Sequence, residues 1–488
     1  MTDSLVRAPE TPTDDAIVSL GSWVILTELA SKTSRIEFLD PVNKEVRFLR
    51  KWNIPYSCLL GIPYGATLTL DHEGKWRRCR RLNIDAFVAE TLAELRRQGV
   101  DMGSEDEESE DEGAPLVPTG SQGSQKLQTD DVISMKSDKV SLRELIIGLC
   151  KGSGTFRRRT AFSQEKYIRK KLDRHVLQVG IKKCDSQNIW DAYASAWKLG
   201  GLDSHYAGYL LNQANITAGQ NVLVFDHSLG FLTACVLDRL GTLGKLIFAA
   251  EFRGASSHIM KQTNLTTEIK SCYREIPFDV LIEGCRRGFN DEKLREDFRG
   301  FFYGAENLEK SLEKPELSEY HLDRVRLAIQ RRDLRLANRL ACYKMVEKQQ
   351  IDSCVAVLDC SRLPASNPIL TANTLSDIYQ IAEKTLKPGG RLVIFHTNMQ
   401  PLSDLYAHIK ARKHTWTNCS FSEICSRSIC FLPQRSHPQM DNSIRLVEGF
   451  ILCASKMVLT EINPTPLDGH EPPSGQEPPS KKQKNEDC

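Results

Sequence analysis

The sequence contains no run of about eighteen predominantly apolar residues, which excludes a membrane-spanning helix. Its first thirty residues lack a basic start, an apolar block and a small-residue cleavage site, so no secretory signal is expected. It also lacks an excess of charge of either sign. The 65 basic and 63 acidic residues leave +2 over 488 positions, so a nucleic-acid partner would have to be held by local patches and not by a global field. None of the fifteen cysteines forms a CxxC pair, and the tightest group is Cys419, Cys425 and Cys430. Zinc sites need thiolates spaced to share one ion, so no metal is expected. Thiols scattered through apolar segments read as buried cysteines of a reducing compartment. G-x-S-x-G, HExxH and Walker loops are missing as well, which leaves no recognisable nucleophile with its base.

What is present is ordinary globular material, 40% apolar and 26% charged, long enough for about three domains. From Ser22 onward short alternating runs appear: SWVILTEL, SRIEFLD, EVRFLRK, ATLTLD and KWRRCR. Pairs such as Trp23/Ile25, Ile36/Phe38, Val46/Phe48 and Leu68/Leu70 suit strands with one buried face. With turns between them they predict a small β-barrel-like domain, closed by a helix over Ile84 to Arg97. The following SEDEESEDEG holds seven acids within residues 104–112 and reads as a solvated spacer.

The segment from Arg157 to Lys183 carries ten basic residues against Glu165 and Asp173, a net +8, with Phe162, Tyr167 and Ile168 interleaved. An excess of one sign this large cannot neutralise itself, and each phosphate it met would release counterions. It reads as a nucleic-acid contact. From Leu202 the pattern changes to nearly continuous apolar runs at 221–226, 245–252, 353–360, 390–396 and 447–455, separated by helical stretches. Such runs are expected of strands buried on both faces by crossover helices. LKPGG is expected to stop a helix over 371–387 before the strand RLVIF. Residues 322–348, with apolar positions at Leu322, Val325, Ile329, Leu336, Leu340 and Tyr343, predict an amphipathic helix that lays one stripe on this sheet.

The strand–turn–helix NVLVFDHSLGFLTACVLDRL stands where an open α/β sheet holds a nucleotide-type cofactor. Such a turn needs glycines so that bare backbone can approach the ligand. Here Val224 replaces the strand acid, Asp226 and Ser228 replace two glycines, and only Gly230 survives. A side chain forced to positive φ costs about 1–2 kcal/mol, and Asp226 and His227 would crowd a ligand. Glu251 remains as an acceptor suited to a ribose. The sheet reads as a methyltransferase-like fold with a degenerate cofactor loop. At its carboxyl rim Asp359 reads equally as a turn residue or as a chemical group, and Arg362 as a phosphate contact. KARKHTW sets Lys410, Arg412, Lys413 and His414 beside Trp416, and PQRSHP sets Arg435 and His437 between prolines. Both suit phosphate contact and base stacking.

Three motifs, TFRRRTAFSQEKYIRKK, LNQANITAGQNVLVFD and FLPQRSHP, together with GSQKLQTDD, resemble one family. It is the non-catalytic, RNA-binding subunit of the eukaryotic tRNA methyltransferase that forms 1-methyladenosine at position 58. The resemblance spans nearly the whole chain. It implies a barrel followed by a Rossmann-like domain, no cofactor in this subunit, S-adenosylmethionine in a catalytic partner, a heterotetramer of two plus two, tRNA as the shared ligand, no membrane, and nuclear residence. RNA contacts carried over are Lys166, Tyr167, Arg169, Lys170, Lys171, Arg174, Arg362, the 410–414 cluster, Arg435 and His437. Lys126, Arg157 and Arg331 complete the candidate set. Leu172 and Asp173 interrupt the basic run, a departure from the family.

The chain is accordingly an α/β protein with an N-terminal β-barrel-like domain and a Rossmann-like class I methyltransferase-type sheet. Residues 1–18 read as a disordered N-terminus, 19–98 as the barrel, 99–128 as the acidic linker and 129–200 as a helical basic RNA-contacting segment. Residues 201–458 read as the Rossmann-like domain and 459–488 as a disordered basic tail. Two other functions stay open: an active S-adenosylmethionine-dependent RNA methyltransferase, and an RNA-binding scaffold in translation.

Overall fold

The computed structural model describes residues 16–48, 52–71, 74–99, 127, 129–137, 140–193, 199–250, 256–304, 319–358, 368–425, 429–430, 439–440 and 449–457. The acidic spacer, the tail, Lys126, Glu251, Asp359, Arg362, Arg435 and His437 lie outside the described residues.

The N-terminal unit is a five-stranded antiparallel sheet built from β1 (Trp23–Glu28), β2 (Ser34–Phe38), β5 (Thr67–Leu70), β6 (Trp76–Cys79) and β7 (Gln178–Lys183), in the order β2-β1-β7-β5-β6. A hairpin of β3 (Glu45–Phe48) and β4 (Trp52–Pro55) supplies Val46, Phe48 and Ile54 to the same core as Leu26, Leu68 and Ile181. Strand β7 corrects the expectation of a helical segment running to residue 200. It is the middle strand, with Leu26 opposite Ile181 and Leu68 opposite Val179. QVGIKK is too short and too basic to announce itself, yet its Val179 and Ile181 alternate inward as strand periodicity requires.

The one-face expectation for β1 is corrected too. Val24 and Leu26 enter the barrel core, while Ile25, with Trp23 and Ile36 beside it, packs into the core of the second unit. Trp23 and Ile25 therefore fill an interface between units that no local period can show.

Between β6 and β7 the chain makes α1 (Ile84–Arg97), α2 (Thr129–Ser137), α3 (Leu142–Lys151) and α4 (Ala161–His175). The Asn83 side chain caps α1, Ser141 and Glu144 form a capping box on α3, and Thr160 caps α4, each satisfying amides that a helix start leaves open. Phe87, Leu95, Ile146, Leu149, Phe156, Ile168 and Leu172 bury the facing stripes in one cluster.

Helices α5 (Ser186–Tyr193) and α6 (Ser204–Gln213) lead into the second sheet. It contains β8 (Asn221–Asp226), β9 (Lys245–Ala250), β10 (Tyr273–Pro277), β11 (Ile351–Leu358), β12 (Leu386–His396), β13 (Trp416–Ile424) and β16 (Gly449–Lys456). A two-residue ladder, β14 (Ile429–Cys430) with β15 (Gln439–Met440), stands apart. The order is β10-β9-β8-β11-β12-β16-β13, with β8 to β12 parallel and β16 antiparallel to both its neighbours. Helices α7 (Phe231–Leu240), α8 (His258–Gln262), α9 (Thr267–Lys270), α10 (Phe278–Arg287), α11 (Glu292–Asp297), α12 (Arg299–Phe302), α13 (Glu319–Glu347), α14 (Pro368–Thr385) and α15 (Met399–Ala411) link the strands. This is a Rossmann-like, methyltransferase-type sheet.

The five strands expected from apolar runs are all present. The two missed, β10 and β13, are the edges, where YREIP and WTNCSFSEI alternate with polar residues because one flank is open. Helix α14 ends at Thr385, before Lys387 and Pro388, since the residue preceding a proline is pushed out of helical torsions. Helix α13 keeps the expected stripe: Val325, Ile329, Leu336 and Leu340 are half-buried and Tyr343 is buried with Cys342 and Val346, while Leu327 and Leu334, off that stripe, are 50% and 66% exposed. At 29 residues it is about 44 Å long, and among the described residues its last turns, from Leu340 on, join the core cluster of the sheet.

Candidate nucleic-acid interface

Two local structures carry the functional argument, the turn after β8 and the exposed face of α4. At the turn, Asp226, His227 and Ser228 are fully buried. The Asp226 side chain folds back instead of standing in the opening. Its Oδ1 accepts from the Ser228 N–H (2.6 Å) and Oγ (2.5 Å), and its Oδ2 accepts from the Thr233 N–H (2.9 Å) and Oγ1 (2.6 Å). Ser228 Oγ accepts from the Leu232 N–H at 2.9 Å, and the Ser228 carbonyl from the Phe231 N–H at 3.1 Å. The first three amides of α7 are thus satisfied by the turn itself. These are the donors that a helix start otherwise offers to an anionic ligand. Burial pushes the Asp226 carboxyl upward, opposed by the bonds from Ser228 and Thr233.

Leu229 takes φ +59°, a left-handed torsion that costs a side chain about 1–2 kcal/mol. Gly230 follows at φ +89°, where a Cβ would lie 2.9 Å from the Ser257 Cα, so glycine is required there by packing as well as by torsion. The expected crowding by Asp226 is therefore corrected. The turn is closed by its own hydrogen bonds, not by side chains projecting into an open pocket.

On α4, Gln164, Ile168 and Leu172 face the core. Ser163, Lys166, Tyr167, Lys170, Lys171 and Arg174, spaced three and four apart, share another face. With Arg159 they line a cavity of about 330 Å³. Lys166, Lys170, Lys171 and Arg174 form no ion pair among the described residues. Burial, followed by the nearby Arg174 and Lys170 charges, pulls Lys171 below the usual lysine range. Tyr167 organises the face. Its ring lies under the Arg159 guanidinium (5.0 Å) and the Lys171 ammonium (5.2 Å), and 5.3 Å from the Phe156 ring. Its hydroxyl donates to the Leu149 carbonyl at 3.3 Å. The aromatic here steadies cations; it is not a free platform for a base. The neighbouring Cys150 thiol is pushed up to about 12 by burial and stays protonated.

The other expected contacts are scattered. Arg169 leaves this cavity and pairs with Asp85 of α1 at 2.6 Å. Arg157 is exposed in the turn before α4. Arg331 is exposed on α13, which packs on β10 and α12, whereas α4 packs on α1 and α3. Lys410 lies against Tyr406, its ammonium 5.3 Å from the ring. Arg412 pairs with Glu383 at 3.2 Å and covers Tyr379, and Lys413 is exposed in the turn after α15. Trp416, expected to stack on a base, is buried and donates its Nε1–H to the Tyr379 hydroxyl at 3.1 Å, so it cannot do so. Arg159 lies within the basic run read as a nucleic-acid contact, and Ser163 is the contributor that reading missed. Extending the three- and four-residue spacing of the basic face toward the amino end would have found Ser163.

A sequence model described as the Gcd10p family matches residues 17–426. The tRNA (adenine(58)-N(1))-methyltransferase non-catalytic subunit of Dictyostelium discoideum is 26% identical over 349 residues, 68% of this chain and 62% of that protein. The mouse protein of the same description is 21% identical across 98% of this chain and 97% of its own length. Among solved structures, an S-adenosylmethionine-dependent O-methyltransferase from Thermotoga maritima aligns over 91% of this chain and 97% of its own, at 9% identity and TM-score 0.40. The tRNA (m1A58) methyltransferase TrmI of Aquifex aeolicus aligns over 91% and 99%, at 9% identity and TM-score 0.35. The fold class stands on the strand order and crossovers, not on these superpositions.

Proposed function

We propose, from the premise that this chain belongs to the Gcd10p family, that it is the non-catalytic, tRNA-binding subunit of a tRNA (adenine(58)-N(1))-methyltransferase. In this reading it grips the tRNA, while a catalytic partner binds S-adenosylmethionine and transfers the methyl group. The observation that carries the reading is the turn at 226–230, whose buried Asp226 takes the amides a cofactor would need. The residues there do not fit such a cofactor: its anionic end would have to displace a buried carboxylate already bonded to four donors.

The grip is assigned to the α4 face. Five cations within one cavity repel one another in the free protein, and an incoming phosphate relieves that repulsion while releasing counterions. Contacts of this kind hold and orient a nucleic acid without reading its sequence. A heterotetramer of two such subunits with two catalytic ones, and residence in the nucleus, belong to the same proposal.

Co-purification followed by mass spectrometry of partners and of tRNA nucleosides tests it. The expected result is one catalytic partner per chain, 1-methyladenosine lost on depletion, and one S-adenosylmethionine per pair of subunits by calorimetry. Two bound per pair, or methylation by this chain alone, would place a working cofactor site here.

A further inference from the structure

We propose a second phosphate-contacting site on the outer edge of the N-terminal sheet, formed by Arg78, Arg80 and Arg81 and directed at the sugar–phosphate backbone of RNA. The inference rests on the tRNA-binding reading above and extends it to a surface outside α4.

The segment KWRRCRR (75–81) places five cations within seven residues. Arg77 is paired with Asp71. Arg78, Arg80 and Arg81 are exposed and form no ion pair among the described residues. Among the described residues strand β6 ends the sheet order and pairs with β5 alone; no further strand covers its other flank, where the Trp76 carbonyl accepts from the Cys58 Sγ at 3.6 Å. Charge on such an edge guards against pairing with another sheet. That role ends with the strand at Cys79, yet the cations continue, and there the backbone is fastened instead of released. The Gln178 Nε2 donates to the Arg80 carbonyl at 3.3 Å, and the Gln178 Oε1 accepts from the Leu82 N–H at 3.1 Å. Asn83 then caps α1. Arg80 and Arg81 are thus presented from backbone held on both flanks, which lowers the ordering cost of binding.

Arg81 opens onto a groove of about 460 Å³ that includes Asn83, Asp85, Arg169 and Gln178. Arg169 neutralises Asp85, the acid in this groove. Arg169 also lies three residues from Lys166, which lines the first cavity, and side chains so spaced on a helix stand about 5–6 Å apart at Cβ. The two concavities therefore flank one helix, and a single nucleic-acid backbone can lie across both. Among the described residues no aromatic side chain lines this second groove, so it suits phosphates better than bases.

The test uses the enzyme assembled with its catalytic subunit, and tRNA titrated at several salt concentrations. Changing Arg78, Arg80 and Arg81 together to Gln should flatten the slope of log affinity against log salt by about 2–3, three phosphate contacts at roughly 0.7–0.9 each. The triple change to Lys should restore most of it. An unchanged slope, with Lys166→Gln, Lys170→Gln and Arg174→Gln still flattening it, would remove the second site and leave the function standing. No effect from either set would remove the tRNA-binding reading itself. Loss of the catalytic subunit on gel filtration, with the slope of the intact complex unchanged, would make the edge a protein contact and overturn the inference.

Discussion

At the scale of single residues, Asp226 closes the turn after β8 on itself. Both carboxylate oxygens are in use, each by a backbone amide and a hydroxyl. Asp226→Ala should therefore cost on the order of 1–3 kcal/mol by leaving buried donors unmet, read as a lower urea midpoint. Asp226→Asn should recover only part of this, because its amide would face an N–H donor in either orientation. Lys171 supplies the corresponding argument for binding. Its pKa is lowered in the folded protein by burial first and then by Arg174 and Lys170. Between that lowered value and the ordinary 10.5 the unfolded chain holds more protons, so stability rises with pH there, and the cost is fully present at neutral pH. Lys171→Met should leave the neutral-pH melting temperature unchanged or raised, and should remove the alkaline rise. It should also weaken tRNA binding by the assembled enzyme. A melting temperature that falls with the affinity would show Lys171 to be a packing residue only.

At the scale of elements, β7 ties the basic helix to the barrel. Because β7 lies between β1 and β5, the sheet is not complete until residue 183, and α1, α3 and α4 are built into it as a crossover. A fragment ending at residue 99 should show no cooperative thermal unfolding by circular dichroism. Ile181→Ala, at a fully buried position, should cost about 2–5 kcal/mol in urea unfolding of the whole chain. The pattern in the sequence gave the helix α4 and its charge, because charge and 3.6-residue spacing are local. It could not give β7, because six residues with two lysines become a central strand only when β1 and β5 stand on either side.

At the scale of the whole molecule, the two units are joined by Asn264. Its Oδ1 accepts from the Trp23 N–H at 2.8 Å, its Nδ2 donates to the Trp23 carbonyl at 2.6 Å, and its own N–H donates to the Cys184 carbonyl at 2.7 Å. This places the α4 cations in a fixed attitude to the methyltransferase-type sheet. Asn264→Ala removes the two side-chain bonds and should raise the tRNA dissociation constant of the assembled enzyme several-fold. The salt slope should stay unchanged, because no cation is lost. A flatter slope would mean that the barrel itself had come apart.

Composition and period alone determined the central parallel strands, the extent of α1, the basic charge of α4 and the single glycine in the turn after β8, because each is written in neighbouring residues. Tertiary structure decided the rest. Trp416 went from candidate stacking surface to core, Arg169 from the cationic cavity to Asp85, Ile25 from barrel face to domain junction, and Asp226 from obstruction to keystone of its turn. Each of those outcomes depends on which distant side chain arrives opposite, and burial and hydrogen bonding between remote segments leave no periodic mark along the chain.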